Sequence, residues 1–530
     1  MKVCKTALKM FFIISVLLNV ALATACESSA AGATIYFDGT RMPKNIDPQL
    51  AYTDFELTVA SNVFEGLFRM HENKVKPALC ANYTISENRL DYEFTLINGA
   101  MWSDERPLTA HDFVFGLRRA LNPETKAPYS HLLLNIKGAS AALSGSGNPA
   151  NIGISAVSDK ILRISLEAPD DRFLEALCNP VSYPCNEEFF LDCKGRYGLI
   201  GDTVLSCGSF YLSRWRENAN MRLIRNENYK GPFKAIPKQI IISFTENADE
   251  RIGRLLNGSL DLVFVDGDQL GRVQTAGLNI IQTENTSYTL LCGNNDTFFN
   301  DSEVQRALFT GLDRTQCAIS APAYFHSISG LIPDTVISLD GIYRKSKTVN
   351  LPVAFDPSTA RQQWLALAKS KNSAPQNATL YYPDNVGVHE IASLLAQSWQ
   401  QNLGLYILLK PISAEKMSSL MREGNFQIAL YPVSPPGNDA KSYLMPFASG
   451  EPLENYSSQA FKTAYANIGR NLNENEYIAR VGTAEQALLD DKRILPIVSG
   501  ISTLAISNKI SGAHVGRSGM VLSFFNITKI

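Results

Sequence analysis

The chain has one long apolar run, and it lies at the N-terminus, ahead of everything that can form a globular core. Residues 10–25 are almost wholly apolar, are preceded by lysines and end directly at Cys26. A basic end, an apolar core and a small-residue cleavage site in this order are typical of a secretory signal, which we place at residues 1–25. The core is shorter than the ~20 apolar residues of a membrane-spanning helix. We therefore expect the rest of the chain to fold outside the cytoplasm.

The residues just before Cys26 indicate a second kind of processing. Ala23-Thr24-Ala25-Cys26 resembles a bacterial lipobox, in which the cysteine is lipidated and becomes the new N-terminus. One acyl anchor would hold the protein at a membrane surface without inserting it. The alternative is a plain signal peptide, cut near Ala25 and leaving no lipid.

The length that follows Cys26 predicts more than one structural unit. Roughly 500 residues are too many for a single compact core and imply two or three lobes. Apolar residues make up 45% of the chain and charged residues 19%, as in ordinary soluble globular proteins. Helix and strand patterns alternate throughout, which favours mixed α/β lobes. The formal net charge is −2 and no basic run occurs, so we expect no nucleic-acid partner.

Local patterns predict individual helices and their caps. Thr109 has the position of an N-cap for a helix over residues 110–121, because apolar residues then recur at helical spacing. Ser302 is the expected N-cap of a helix over residues 303–312. A further amphipathic helix is predicted over residues 474–490.

The cysteines leave two possibilities open. Seven of the nine lie beyond Cys26, at positions 80, 178, 185, 193, 207, 292 and 317. An exported compartment permits disulfides, and the segment 178–207 is close enough in sequence for one local bond. Fully reduced, buried cysteines are the alternative. The spacings match no CxxC metal pattern, so no metal site is predicted from them.

Motifs for catalysis and cofactor binding are absent from the sequence. The six histidines are scattered, and there is no HExxH, GxxxxGK[ST], GxGxxG or GxSxG. We therefore expect no enzyme, no cofactor and no bound metal. An exported hydrolase built on a Ser/Lys or Cys/His pair stays as an alternative, because such groups meet only in the folded chain.

One segment carries a specific family resemblance. Residues 102–113, WSDERPLTAHDF, resemble a segment of the solute-binding proteins of ABC importers for oligopeptides, dipeptides and nickel, known as family 5. That family usually has glycine where this chain has Glu105. Further segments resemble the family in the same order: residues 45–48, 64–67, 207–212, 226–229, 257–261, 299–301, 312–314, 388–409 and 495–497. The resemblance covers about residues 33–530.

The resemblance implies an α/β, two-lobed periplasmic-binding-protein fold (type II, cluster C-like) with an inserted subdomain in the first lobe. The expected divisions are 33–64, 202–286 and 499–530 for lobe I, 65–201 for the inserted subdomain and 287–498 for lobe II. The hinge would lie at the crossings near residues 286 and 498, and closure around a ligand is the usual motion of such proteins.

The resemblance also shows where this chain departs from its relatives. Oligopeptide-binding members hold the peptide α-amino group with an aspartate that follows the strand matching residues 426–431. A match without gaps puts Pro436 at that position, Leu430 in place of an arginine and Val433 in place of a tryptophan. We therefore expect the ligand to be held differently from the best-known oligopeptide binders.

Two residues match basic positions of the family site. His389 falls where such proteins carry a histidine that reaches the C-terminal end of the peptide, and a helix-capping or surface role is its alternative. Arg422 lies one place from another basic residue of the family, and a solvated surface position is its alternative.

Four more residues are candidate ligand contacts. Asn438 and Asp439 belong to the same loop as Pro436, and either could replace the lost amino-group anchor. Tyr52 and Asp54 lie near the expected rim of the first lobe.

The expected function is capture of a solute for import. The protein would be periplasmic, monomeric and tied to a membrane only by lipid on Cys26. It would deliver a peptide, including cell-wall peptides, to an ABC permease in the inner membrane. Nickel or another metal chelate is an alternative ligand. A surface receptor or adhesin-like protein on the same fold is an alternative function.

Overall fold

The computed structural model describes residues 32–72, 74–148, 151–170, 172–216, 220–265, 267–338, 341–370, 375–385, 387–435, 439–448, 452–469, 473–516 and 521–530. The predicted secretory signal, Cys26, Pro436 and the candidate residue Asn438 lie outside these residues.

The strands in chain order are β1 (Thr34–Asp38), β2 (Phe68–His71), β3 (Lys74–Pro77), β4 (Cys80–Ile85), β5 (Asp91–Leu96), β6 (Ile154–Ser158), β7 (Ile161–Ser165), β8 (Phe210–Arg216), β9 (Asn220–Arg225), β10 (Gln239–Ser243), β11 (Leu262–Val265), β12 (Asn279–Cys292), β13 (Phe325–Ser327), β14 (Asn377–Pro383), β15 (Tyr406–Ile412), β16 (Ile428–Val433), β17 (Ile494–Ile506), β18 (Ile510–Ser511), β19 (His514–Val515), β20 (Leu522–Ser523) and β21 (Thr528–Lys529).

The α-helices in chain order are α1 (Asp54–Val63), α2 (Ala110–Ala120), α3 (Ala139–Leu143), α4 (Phe173–Ala176), α5 (Glu187–Asp192), α6 (Ala248–Leu256), α7 (Leu270–Thr275), α8 (Ser302–Thr310), α9 (Arg314–Ser320), α10 (Tyr343–Ser346), α11 (Pro357–Ser370), α12 (Val388–Leu403), α13 (Ala414–Glu423), α14 (Gln459–Ala466) and α15 (Glu474–Asp490). None of the helices in the described part of the chain combines the length and apolar character needed to cross a membrane.

One large mixed sheet runs through the molecule in the order β15-β14-β16-β12-β17-β11-β1-β10-β9-β8, with β13 also paired to β17. β1 pairs in parallel with β10 and β11 in one half, and β14 pairs in parallel with β15 and β16 in the other. Helices pack against these parallel strands and form, together with them, the α/β lobes that the alternating sequence patterns predict. A separate sheet, β4-β5-β7-β6, lies within residues 80–165.

The long strands β12 and β17 join the two halves of the sheet. They pair with each other in antiparallel register from Asn279 opposite Ile506 to Leu291 opposite Ile494. The C-terminal part of β12 also pairs with β16 in the second lobe. The C-terminal part of β17 pairs with β11 in the first lobe. The register shifts between Glu284 and Thr286, which is the local irregularity of a β-bulge.

The buried side chains form separate cores on the two sides of these strands. One core combines β1, β9 and β10 with the segment from Phe64 to Phe233 and with the last strands of the chain. Two other cores lie within residues 288–498, around α12 and around α15. The chain therefore folds as two lobes, and the exact lobe boundaries near residues 286 and 498 remain a prediction.

Two of the predicted helix starts can be checked directly. The capping of α2 by Thr109 is confirmed, because the Thr109 backbone N–H donates to Asp112 Oδ2 at 2.7 Å in a capping box. The predicted cap of α8 is wrong. Asp301, not Ser302, accepts the hydrogen bonds of the first turn. An aspartate one residue earlier is as good a cap as serine and also favours the positive helix end.

The seven described cysteines are all free thiols. No disulfide forms within residues 178–207, so the reduced alternative is the one found. Burial raises the pKa of each thiol, to about 12 at Cys80 and Cys185 and to about 11 at Cys317.

Candidate functional site

A large cavity of about 2850 Å³ lies between the two lobes. Both lobes contribute to its wall. Residues of the first lobe and its subdomain that line it include Tyr52, Asp54, His131, Arg172 and Phe264, and residues of the second include Tyr288, Asp384, Tyr431, Asp439 and Tyr477. A site shared by two lobes around a hinge is the arrangement in which closure buries a ligand.

Tyr52 and Asp54 line the cavity at the start of α1. Thr53 caps this helix, and the Glu56 carboxylate accepts the backbone N–H groups of Tyr52 and Thr53 at 3.1 Å each. The Tyr52 ring is 57% exposed and lies 6.1 Å from that of Tyr129, whose hydroxyl donates to Tyr52 O at 3.1 Å. These hydrogen bonds hold the backbone of Tyr52, whose largely exposed side chain lines the cavity.

Asp439 lines the cavity on the second lobe and is fully engaged by protein donors. Its carboxylate accepts the Lys441 N–H at 3.1 Å, the Ser442 N–H at 3.3 Å, the Tyr477 hydroxyl at 3.0 Å and the Ser442 hydroxyl. Burial acts to raise the pKa of Asp439, but the charge of Arg172 and these hydrogen bonds hold it below its usual value. Asp439 is therefore a carboxylate at neutral pH.

Arg172 lines the cavity on the first-lobe side and faces Tyr477, the hydrogen-bond partner of Asp439. Arg172 occupies the N-cap position of the short helix α4 and donates from Nη2 and Nε to Glu175 Oε2 at 2.8 and 3.0 Å. Its guanidinium carbon lies 5.9 Å from the centre of the Tyr477 ring. Burial opposes the charge, yet Asp439 and then Glu175 raise the pKa of Arg172 above its ordinary value.

Two predicted contacts lie elsewhere. His389 is exposed near the start of α12 and does not line the cavity, and its Nδ1 lies 2.7 Å from the Tyr382 hydroxyl. Arg422 is exposed in the last turn of α13 and also lies off the wall. Both positions match the surface alternatives given for these residues.

The positions where the chain departs from the family pattern differ in their surroundings. Leu430 and Val433 are both buried in cores of the second lobe, and Val433 also borders the cavity at the end of β16. The arginine of the family is thus replaced here by a core side chain. Neither residue offers a charge to a ligand carboxylate.

Sequence reasoning missed Arg172, Tyr477, Tyr288 and Asp384 as residues of the cavity wall. Asp384 follows the carboxyl end of β14, beside the parallel strand β16, a position from which polar residues reach a ligand in α/β sheets. That rule could have singled out Asp384. No local sequence pattern marks Arg172 or Tyr477, because their partner Asp439 is distant in the chain.

The wall offers no ready metal centre. The described residues contain no group of three or more His, Cys, Asp or Glu side chains placed to hold a metal ion.

Fold and cavity together define a class: a two-lobed protein that encloses a solute. The family model for bacterial extracellular solute-binding proteins, family 5, matches residues 74–455. This is more than half of the chain, and the chain belongs to that family. Its members bind solutes outside the cytoplasm and perform no catalysis.

Curated relatives of the chain bind different solutes. The probable deoxycholate-binding periplasmic protein YgiS of Escherichia coli K12 is 26% identical over 411 residues, which is 76% of this chain and 75% of the relative. The oligopeptide-binding protein OppA of Bacillus subtilis 168 is 23% identical over 512 residues, covering 93% of this chain and 92% of the relative.

Solved structures confirm the fold. The substrate-binding domain of an oligopeptide ABC transporter from Bacillus anthracis superposes with a TM-score of 0.81 at 21% identity, covering 94% of this chain and 99% of that chain. The Escherichia coli murein tripeptide binding protein MppA gives 0.80, and its unliganded open form gives 0.68. The arrangement of the two lobes is therefore more similar to that in the first MppA structure than to that in the open form.

Proposed function

We propose that this protein captures a peptide in the cavity between its lobes and delivers it to an ABC permease. The observation that carries the proposal is the cavity of about 2850 Å³ with walls from both lobes. The family membership and the peptide-binding relatives support it.

The size of the cavity favours an extended ligand. Pockets for drug-sized molecules measure roughly 300–1,000 Å³. A cavity of about 2850 Å³ has room for a ligand of several residues together with ordered water. A single metal chelate would leave most of this volume to solvent, so the size favours a peptide over nickel.

The export and the membrane attachment in this proposal are inferred from the N-terminal sequence. The protein acts as a monomer in the periplasm, and a lipid on Cys26 ties it to a membrane surface. A permease in the inner membrane receives the ligand when the lobes open. Mass spectrometry of the membrane-extracted protein tests the anchor, since diacylation adds a mass that Cys26→Ser removes together with membrane attachment.

The ligand is tested by native mass spectrometry of residues 27–530, followed by denaturation and identification of what is released. We expect a set of short peptides, or one defined cell-wall peptide. A steroid carboxylate, as named for the relative YgiS, or a metal chelate would replace the peptide proposal. An empty protein with no thermal shift in peptide pools would support the receptor alternative.

A further inference from the structure

The Asp439 carboxylate has little capacity left for a ligand. A carboxylate has about four lone-pair sites for hydrogen bonds. Asp439 accepts from the Lys441 N–H, the Ser442 N–H and hydroxyl, and the Tyr477 hydroxyl. A ligand ammonium at this carboxylate would have to displace a donor of the protein itself.

The positive charge that faces Asp439 belongs to the protein. Arg172 lies 5.9 Å from the centre of the Tyr477 ring, and the nearby Asp439 charge raises the pKa of Arg172. The Tyr477 hydroxyl donates to Asp439 at 3.0 Å, so the three side chains form one group. Arg172 lies directly before α4, which packs into the first-lobe core that also contains β1. Tyr477 lies on α15 and belongs to a core of the second lobe.

This group therefore bridges the cavity. We propose that Arg172, Asp439 and Tyr477 form a clasp between the lobes, and that Asp439 acts on affinity through closure rather than as the anchor of a peptide amino group. Opening the lobes separates Arg172 from the Tyr477 ring and from the Asp439 charge, so these attractions count only in the closed state. The observed affinity is the intrinsic affinity of the closed state multiplied by the fraction of protein that is closed. A weaker clasp lowers this fraction and therefore weakens binding.

The first experiment needs no ligand. Small-angle X-ray scattering of ligand-free Arg172→Gln should give a larger radius of gyration than the parent protein, and Tyr477→Phe a smaller increase. Arg163→Gln is the matched control, since Arg163 pairs at 2.7 Å with Glu93 on the exposed sheet of the first lobe. Unchanged scattering in both clasp variants would overturn the clasp.

The second experiment separates clasp from anchor and rests on the proposed function. Binding of Asp439→Asn is measured with a pool of random tetrapeptides and with the same pool acetylated at the N-terminus. Loss of the clasp predicts roughly a 10- to 100-fold loss of affinity for both pools, the size of one hydrogen bond to a charged group. A loss confined to the free pool would make Asp439 the amino-group anchor and overturn the proposal.

The two proposals fail in different ways. If no pool binds to the parent protein, peptide capture fails, and the ligand-free scattering still decides the clasp. If peptides bind and the scattering does not change, the clasp fails and peptide capture stands.

Discussion

At the scale of single residues, the non-glycine residue Glu105 has a backbone conformation that its side chain disfavours. Glu105 has a φ of 69°, in the left-handed region that glycine adopts without steric cost. The sequence already marks this position, because the related proteins usually have glycine there. The backbone conformation is thus one that glycine favours, although this chain has glutamate at the position.

Glu105→Gly should therefore stabilise the protein. Relief of ~1–2 kcal/mol of left-handed strain exceeds the ~0.5–1 kcal/mol of added chain entropy, which leaves a gain of about 0.5 kcal/mol. Urea unfolding measures it. Glu105→Ala removes the same carboxylate but keeps a Cβ, so it should show no gain, and equal behaviour of the two variants would contradict the argument.

The buried ion pair of Arg344 and Glu485 should have a much larger effect on stability. Arg344 Nη2 lies 2.6 Å from Glu485 Oε1, with side chains 6% and 0% exposed, and Tyr343 donates to the same carboxylate at 3.0 Å. Glu485→Ala leaves a buried charge without its partner and should cost about 3–5 kcal/mol of unfolding free energy. Denaturant unfolding tests this.

The control for that prediction is Glu93→Ala, which breaks the exposed pair with Arg163 and should cost less than about 1 kcal/mol. Similar losses in the two variants would mean that burial does not govern the strength of these pairs.

At the scale of elements, short patterns predict well and long strands poorly. The helix predicted over residues 474–490 is α15 (Glu474–Asp490), but the segment 495–497, noted only for its family resemblance, is the start of the longer β17. β17 and β12 each pass from one lobe to the other. Their neighbours change along their length, so no single alternation of apolar and polar residues marks the whole strand.

The turn after β11 meets the second lobe at Tyr324. A Cβ on Gly267 would lie 1.5 Å from Tyr324 Cδ1, closer than any real contact. We predict that Gly267→Ala keeps the lobes from closing fully and weakens ligand binding, because the Tyr324 ring has to move. Gly271→Ala in α7 is the control, since its Cβ would meet nothing within 4 Å.

The measurements are ligand affinity and ligand-free scattering for each variant. Adding Tyr324→Ala to Gly267→Ala should restore a compact, closed protein. No recovery in the double variant would place the cause elsewhere than in the Tyr324 ring.

At the scale of the whole molecule, the ordered series of motifs predicts the family and the two-lobed fold, because these motifs are scaffold. The wall of the cavity is predicted less completely. Tyr52, Asp54 and Asp439 line the cavity, whereas His389 and Arg422 do not. Side-chain direction and contacts between distant segments decide which residues face the cavity. A local sequence pattern predicts neither of these.

Closure of the two lobes should depend on pH. The pKa of Asp439 is lowered, so its contribution to the closed state is complete above the ordinary value of 3.8 and is lost as the pH falls through the lowered value. Ligand-free scattering should therefore show expansion only below about pH 4. Asp439→Asn should be expanded already at pH 7 and lack this step; a parent-like profile would contradict the prediction.

The buried thiols have a practical consequence for spectroscopy. All seven described cysteines are unpaired, and burial raises the pKa of each, so little thiolate is present to react with maleimides. One new cysteine on the exposed surface of each lobe, in residues 27–530, would then take up dye without removal of the native ones. Lobe movement in single molecules becomes observable by fluorescence energy transfer in an otherwise unaltered protein.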